Sequence, residues 1–184
     1  MKQTICRFIY HQLLGWKKVV TIPLFDKCII CAAPHTSNKD LFIGKLFYGT
    51  IGQETSFMMK KEWFFFPIGL FFKTIGGIPV DRKQRTSLIE QMVSHFAESK
   101  KFHLAITPEG TRKANPKWKR GFYYIALKAC VPIVLVGIDY KSKTITSNQV
   151  ITPSGNVEED IRKIKHYFKY FKGKHPENFS VGDA

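Results

Sequence analysis

The sequence predicts an α/β fold, a single domain whose mainly parallel or mixed central sheet is flanked by helices, with an amphipathic helix at the N-terminus. Three observations carry this reading. Short apolar runs of strand length alternate with longer segments whose apolar residues recur at helical spacing, the mark of crossover-connected strands. A length of 184 residues suits one domain with one substantial core. A composition that is 44% hydrophobic and 14% aromatic excludes a disordered chain.

In chain order, Ile5, Phe8, Ile9, Leu13 and Trp16 fall at helical spacing, with Lys2, Arg7, Lys17 and Lys18 at polar positions. They predict an amphipathic helix over residues 1–20, suited to packing on the domain or to lying on an anionic bilayer surface. CIICAAP (28–34) reads as a buried strand running into a turn, residues 40–51 as a helix, and SFMMK (56–60) as a second strand. WFFFPIGLFFKTIGG (63–77) has helical length, is interrupted by Pro67 and stops at Gly76-Gly77. IPVD (78–81) reads as a strand, and the helix over 86–101 sets Leu88, Met92, Val93 and Phe96 on one face. Ser87 and Glu90 are spaced there as a capping box. A strand at 102–108, a helix at 119–130 and a strand at 131–140 follow. A last helix covers 157–172, acidic in its first turn as the helix dipole favours. No repeat or low-complexity linker divides residues 1–184, and the polar motifs fall within 28–140.

The formal net charge of +15 calls for an anionic partner: nucleic acid, an anionic membrane surface or a phosphorylated small molecule. The cysteines are Cys6, Cys28, Cys31 and Cys130. Cys28 and Cys31 lie three apart on a strand, so they point to opposite faces, and no second Cys/His pair follows at zinc-site spacing. They read as buried apolar side chains, and no metal site is expected. The first twenty residues lack the apolar stretch and cleavage site of a signal peptide, and no apolar run reaches the length of a membrane span. The expected location is the cytoplasm, peripheral to the inner face of the membrane.

The polar motifs follow the strands, where α/β sheets place their working residues. His35 and Asp40, five apart in PHTSNKD, could meet if the histidine sits in the loop and the aspartate in the first helical turn. Histidine is suited to general-base work near neutral pH when a carboxylate sets its tautomer. Ser37-x-x-Asp40 is equally a capping-box spacing. In TPEGTRK, Gly110 permits close backbone approach to a ligand, Thr111 offers a hydroxyl and Arg112 a fork for phosphate or carboxylate, although Glu109 and Arg112 also suit a surface pair. GGIPVDR brings Asp81 and Arg82 to a strand end, and KKEW brings Lys60 and Lys61.

The order of these motifs matters more than any one of them. HTSNKD, GGIPVDR, TPEGTR and VPIVLV, spread over residues 35–136, closely resemble the four blocks of the glycerolipid acyltransferase family, whose best-known members are the 1-acylglycerol-3-phosphate O-acyltransferases. WKRG (118–121) matches the F-K-x-G that usually follows the third block. Thr107, Pro79 and Leu135 depart from the pattern without removing a polar residue the chemistry needs.

The resemblance implies that His35 is a general base on an acceptor hydroxyl and that Asp40 orients it. The hydroxyl would attack the thioester of acyl-CoA or acyl-carrier protein, with no acyl-enzyme, no cofactor and no metal. The implied acceptor is lysophosphatidate or a related lyso-lipid, with glycerol 3-phosphate or a non-phosphate lyso-lipid as alternatives. Arg82 and Arg112 would meet the phosphate, with Lys60 or Lys61 as a third cation, and Glu109 would organise its loop or the acceptor. Backbone N–H groups near Gly110 or at the start of the helix after His35 would serve the oxyanion. An anionic membrane surface is the expected partner. The Phe-rich 63–77 segment suits acyl-chain or membrane contact as well as a core helix. A basic nucleic-acid-binding module would explain the charge but neither the blocks nor their order, and a non-catalytic lipid-binding relative would normally lack the histidine or aspartate.

Overall fold

The protein is described from a computed structural model in which residues 2–81 and 87–182 are placed. Arg82, assigned above to the phosphate, lies outside the described residues. Seven strands form one sheet: β1 (Lys17–Val20), β2 (Lys27–Ala33), β3 (Ser56–Lys60), β4 (Gly77–Val80), β5 (Phe102–Ile106), β6 (Ile133–Asp139) and β7 (Thr144–Ile151). Their order is β1-β7-β6-β2-β5-β3-β4. Strands β4, β3, β5, β2 and β6 run parallel, while β7 turns back antiparallel to β6 and carries β1 parallel to itself. The sheet is therefore mixed.

Helices cover both faces: α1 (Lys2–Arg7), α2 (Lys39–Thr50), α3 (Ile68–Thr74), α4 (Leu88–Glu98), α5 (Gly121–Ala129) and α6 (Val157–Phe168). β2 shows why two layers are needed, because its alternating side chains feed two separate cores. Ile29, Cys31 and Ala33 pack with Met92 and Phe96 of α4, Phe122 and Ile125 of α5, and Ile164 and Phe168 of α6. Cys28 and Ile30 pack on the other face with Ile43 and Phe47 of α2 and with Tyr10 and Trp16. The C-x-x-C thus splits across the sheet, as the strand periodicity requires. Burial of each large side chain contributes roughly 1.5–3 kcal/mol. The Ser87–Glu90 capping box is complete, with Glu90 N–H donating to Ser87 Oγ at 3.2 Å and Ser87 N–H to Glu90 Oε2 at 2.9 Å.

The N-terminal helix is shorter than its periodicity suggests. It continues from α1 as a π-helical segment, Phe8–Leu13, and residues 17–20 form β1 instead. Gly15, with φ at +67°, turns the chain, and Lys17 N–H then donates to Lys143 O. Strand β1 exists because β7 offers it an edge, a partner remote in sequence, and the polar TITSNQVI of β7 carries little strand signal of its own. In 63–77 the helix is confined to Ile68–Thr74, behind a single 3-10 turn at Lys61–Trp63. The last helix stops at Phe168, short of residue 172.

Candidate active site

β2 delivers Pro34 and His35 at the C-terminal edge of the sheet, and α2 begins four residues beyond His35. His35 Nδ1 lies 3.1 Å from Asp40 Oδ2. A carboxylate oxygen accepts hydrogen bonds, so Nδ1 is the donor in this contact and Nε2 points away from it. The same Oδ2 accepts the Thr36 and Ser37 N–H groups, each at 2.8 Å, and Oδ1 accepts the Tyr140 hydroxyl at 2.6 Å. Asp40 is 4% exposed, and a buried carboxylate of this kind persists only with donors around it. Its place in the first turn of α2 adds the favourable end of the helix dipole.

The capping-box reading is half present. Asp40 returns to the Ser37 amide, but Ser37 Oγ accepts from Lys39 N–H at 3.2 Å, and Asp40 N–H goes to the Ser37 carbonyl. One carboxylate oxygen therefore shapes the loop and holds the imidazole together. This disposes of most backbone oxyanion donors expected from the sequence. The amides of His35, Thr36, Ser37, Lys39 and Asp40 are all engaged within the protein, and Gly110 N–H faces Thr107 O at 3.2 Å.

Glu109 follows β5 and is 2% exposed. Its Oε1 accepts the His35 N–H at 2.7 Å, while Oε2 has no hydrogen-bond partner among the described residues. Burial raises its pKa from 4.5 to about 7, opposed by the His35 and Glu109 amides. Glu109 does not line the cavity described below, so it braces the histidine loop from behind. Gly110 makes the turn with φ at +67°, and a Cβ there would come within 3.0 Å of the Lys119 side chain. Thr111 and Arg112 are exposed on this loop and are not among the cavity-lining residues.

A cavity of about 390 Å³ opens between α2 and the sheet. His35, Asn38, Asp40, Lys60 and Thr107 supply polar groups to its lining, and Leu41, Phe57, Met59, Ala105, Val136 and Ile138 make it largely apolar. Gly44 also faces it, and a Cβ there would meet nothing within 4 Å. Lys45 and Tyr48 lie about 8 and 12 Å beyond Asp40 along the helix axis, at the rise of an α-helix, so the cavity runs deep beneath α2. Lys45 Nζ donates there to Thr55 O at 2.5 Å and Thr55 Oγ1 at 3.2 Å, and burial lowers its pKa. Lys61 Nζ sits 3.5 Å from Asp81 Oδ2, outside the cavity lining.

The Phe-rich segment is largely on the surface. Trp63, Phe65, Phe66, Leu70 and Phe71 are each more than half exposed, Phe66 at 82%. The structure thus brings His35, Asp40 and Lys60 to one cavity, sets Glu109 behind it, and leaves Thr111 and Arg112 in solvent. Tyr140, Asn38, Lys45 and Gly44 were not recognised in the sequence. Tyr140 carried a usable signal, since it directly follows a strand of the parallel set at the edge where His35 and Glu109 emerge.

The Glu109 carboxyl holds its proton more tightly folded than unfolded, so its ionisation weakens the fold as pH rises from about 4.5 through about 7. Glu109→Gln should remove this loss. Thermal midpoints across pH should show the variant gaining on the wild type over that interval and no further above it. A pH-independent difference would refute the assignment.

Residues 17–139 match the family described as Acyltransferase. Over 128 residues the chain is 27% identical to the 1-acyl-sn-glycerol-3-phosphate acyltransferase of Escherichia coli (strain K12), covering 66% of this chain and 51% of that protein. The chain thus spans about half the length of that curated relative. Among solved structures, the crystal structure of the 1-acyl-sn-glycerophosphate (LPA) acyltransferase PlsC from Thermotoga maritima aligns with a TM-score of 0.63 at 19% identity. The alignment covers 91% of this chain and 75% of that one, a likeness of fold. The family match takes in the His35 loop, β3, the Glu109 loop and β6, the same elements that build the cavity, and on it the chain belongs to the acyltransferase family.

Proposed function

We propose that the protein transfers a fatty acyl group from acyl-CoA or acyl-carrier protein to a hydroxyl of lysophosphatidate or a related lyso-lipid, in phospholipid biosynthesis. The observation that carries this reading is the His35–Asp40 pair, oriented by a buried carboxylate, on the wall of a deep apolar cavity. His35 Nε2 takes the proton of the acceptor hydroxyl as its oxygen attacks the thioester carbonyl. Asp40 stabilises the imidazolium that forms. The tetrahedral intermediate collapses by breaking the C–S bond, and the imidazolium returns its proton to the departing thiolate. Asn38 lines the cavity with His35 and is suited to the oxyanion, in place of the engaged backbone amides. The acyl chain occupies the apolar cavity beneath α2. Lys60, Lys61 and Arg112, with Arg82 from the sequence alone, supply cations for the acceptor phosphate.

The exposed aromatics after β3, beside Lys60, Lys61 and Lys73, suit docking on an anionic membrane surface at the cytoplasmic face. No helix among the described residues is long and apolar enough to cross a membrane.

Release of thiol from acyl-CoA and from acyl-carrier protein, with and without lysophosphatidate, tests the reaction and identifies the donor. His35→Ala should lower acceptor-dependent kcat/KM about 10²–10⁴-fold. Undiminished activity would overturn the mechanism, and equal transfer to an acceptor without phosphate would overturn the phosphate assignment. Gly44→Leu should shift donor preference toward shorter chains while short-chain turnover survives. An unchanged chain-length profile would remove the cavity from the acyl path. Co-sedimentation with phosphatidylglycerol-containing vesicles should fall in a Phe66→Asp, Phe71→Asp double variant, and equal binding would exclude this surface as the docking site.

A further inference from the structure

We propose that Tyr140 is a positioning residue for the reaction, its hydroxyl holding Asp40 in the one orientation that serves His35. This rests on the reading of His35 as the base. Tyr140 lies one residue past the segment matched to the family and outside the four motif blocks.

The two oxygens of Asp40 divide the work. Oδ2 takes three N–H donors from the histidine loop, and Oδ1 takes Tyr140 at 2.6 Å, the length of a charge-assisted O–H···O bond. The loop donors alone fix one oxygen. The plane of the carboxylate is fixed by what holds the other. Tyr140 can do this because its own place is secured from two remote parts of the chain. Its N–H donates to Lys172 O at 2.8 Å, and its ring meets Trp16 edge-on at 5.0 Å and 88°. Burial and Asp40 both raise the phenol's pKa, so it remains a donor. The bond joins the end of β6 to the first turn of α2 across the top of β2, from which the His35 loop departs.

A second effect follows from charge. The phenol withdraws electron density from the carboxylate that the imidazole also uses. Loss of the hydroxyl would free Oδ1 and strengthen the Nδ1–H···Oδ2 bond wherever that geometry is still visited. Tyr140 would therefore change the state of His35 without touching substrate, which a purely packing residue would not do.

Tyr140→Phe keeps the ring on Trp16 and removes the donor. In the full chain, assayed by thiol release with lysophosphatidate, kcat should fall about tenfold with both KM values unchanged, the cost of one hydrogen bond to a charged group. In an Asp40→Asn background the same substitution should have no further effect, because the carboxylate it positions is gone. The low-field proton signal of His35 Nδ1–H, assigned by its disappearance in His35→Ala, should move further downfield in Tyr140→Phe. This signal reads the contact even where turnover is low. Wild-type kcat with an unmoved signal would overturn the proposal, as would an equal loss in both backgrounds, which marks a packing role. If His35→Ala and Asp40→Asn retain full activity, the base assignment itself fails. If both lose activity while Tyr140→Phe matches wild type, the role of Tyr140 alone is refuted.

Discussion

The buried carboxylate of Asp40 is the constraint on which the site depends. A charge removed from water is tolerated only where donors replace the water, and four converge here: the His35 ring, the Thr36 and Ser37 amides and the Tyr140 hydroxyl. These donors come from the loop leaving β2 and from the end of β6, and the acceptor sits on α2. The loop conformation, the start of the helix and the edge of the sheet are therefore solved together. Glu109 adds a second brace through the His35 amide, but its burial, with Oε2 unpartnered among the described residues, raises its pKa, so this brace costs stability when ionised.

The two faces of the sheet are packed differently. Beneath α4, α5 and α6 large residues such as Phe96, Phe122 and Phe168 fill the space. Beneath α2 the core is anchored by Ile43 and Phe47 on one side of the helix, while Gly44 leaves the neighbouring side open. A helix packed along only part of its surface leaves a cavity, and the His35 loop opens onto it. Lys45, holding Thr55 beneath the helix, makes this an apolar cavity with a polar boundary.

The sheet topology sets what surrounds the cavity. β3 is parallel to β5 and β4 and so ends at the same edge as β2. Its last residue, Lys60, lines the cavity, and the exposed aromatics begin three residues later at Trp63. A basic, aromatic surface and the candidate base therefore share one edge.

Local pattern made much of this readable from residues alone. The strands of the parallel set, α2, α4 with its capping box, and the order of the motif loops all depend on near neighbours in the chain. The spacing of His35 and Asp40 allowed them to meet across a strand end, a short loop and a helical first turn, and the order of the motif blocks marked them as a pair. Features set by remote contacts could not be read in this way. β1 needed the edge of β7, more than a hundred residues away, to become a strand. Tyr140 looks like the end of a strand until the fold brings it to Asp40, and whether Glu109 serves its loop or the acceptor is not readable until burial sets it behind the His35 loop. The openness beside Gly44 is a property of what does not pack there. The sequence by itself determined the fold class, through periodicity, and marked His35 and Asp40 as the candidate pair, through the order of the motif blocks. Only the tertiary structure decided which groups hold that pair and where the cavity runs, because burial and hydrogen-bond geometry depend on segments far apart in the chain.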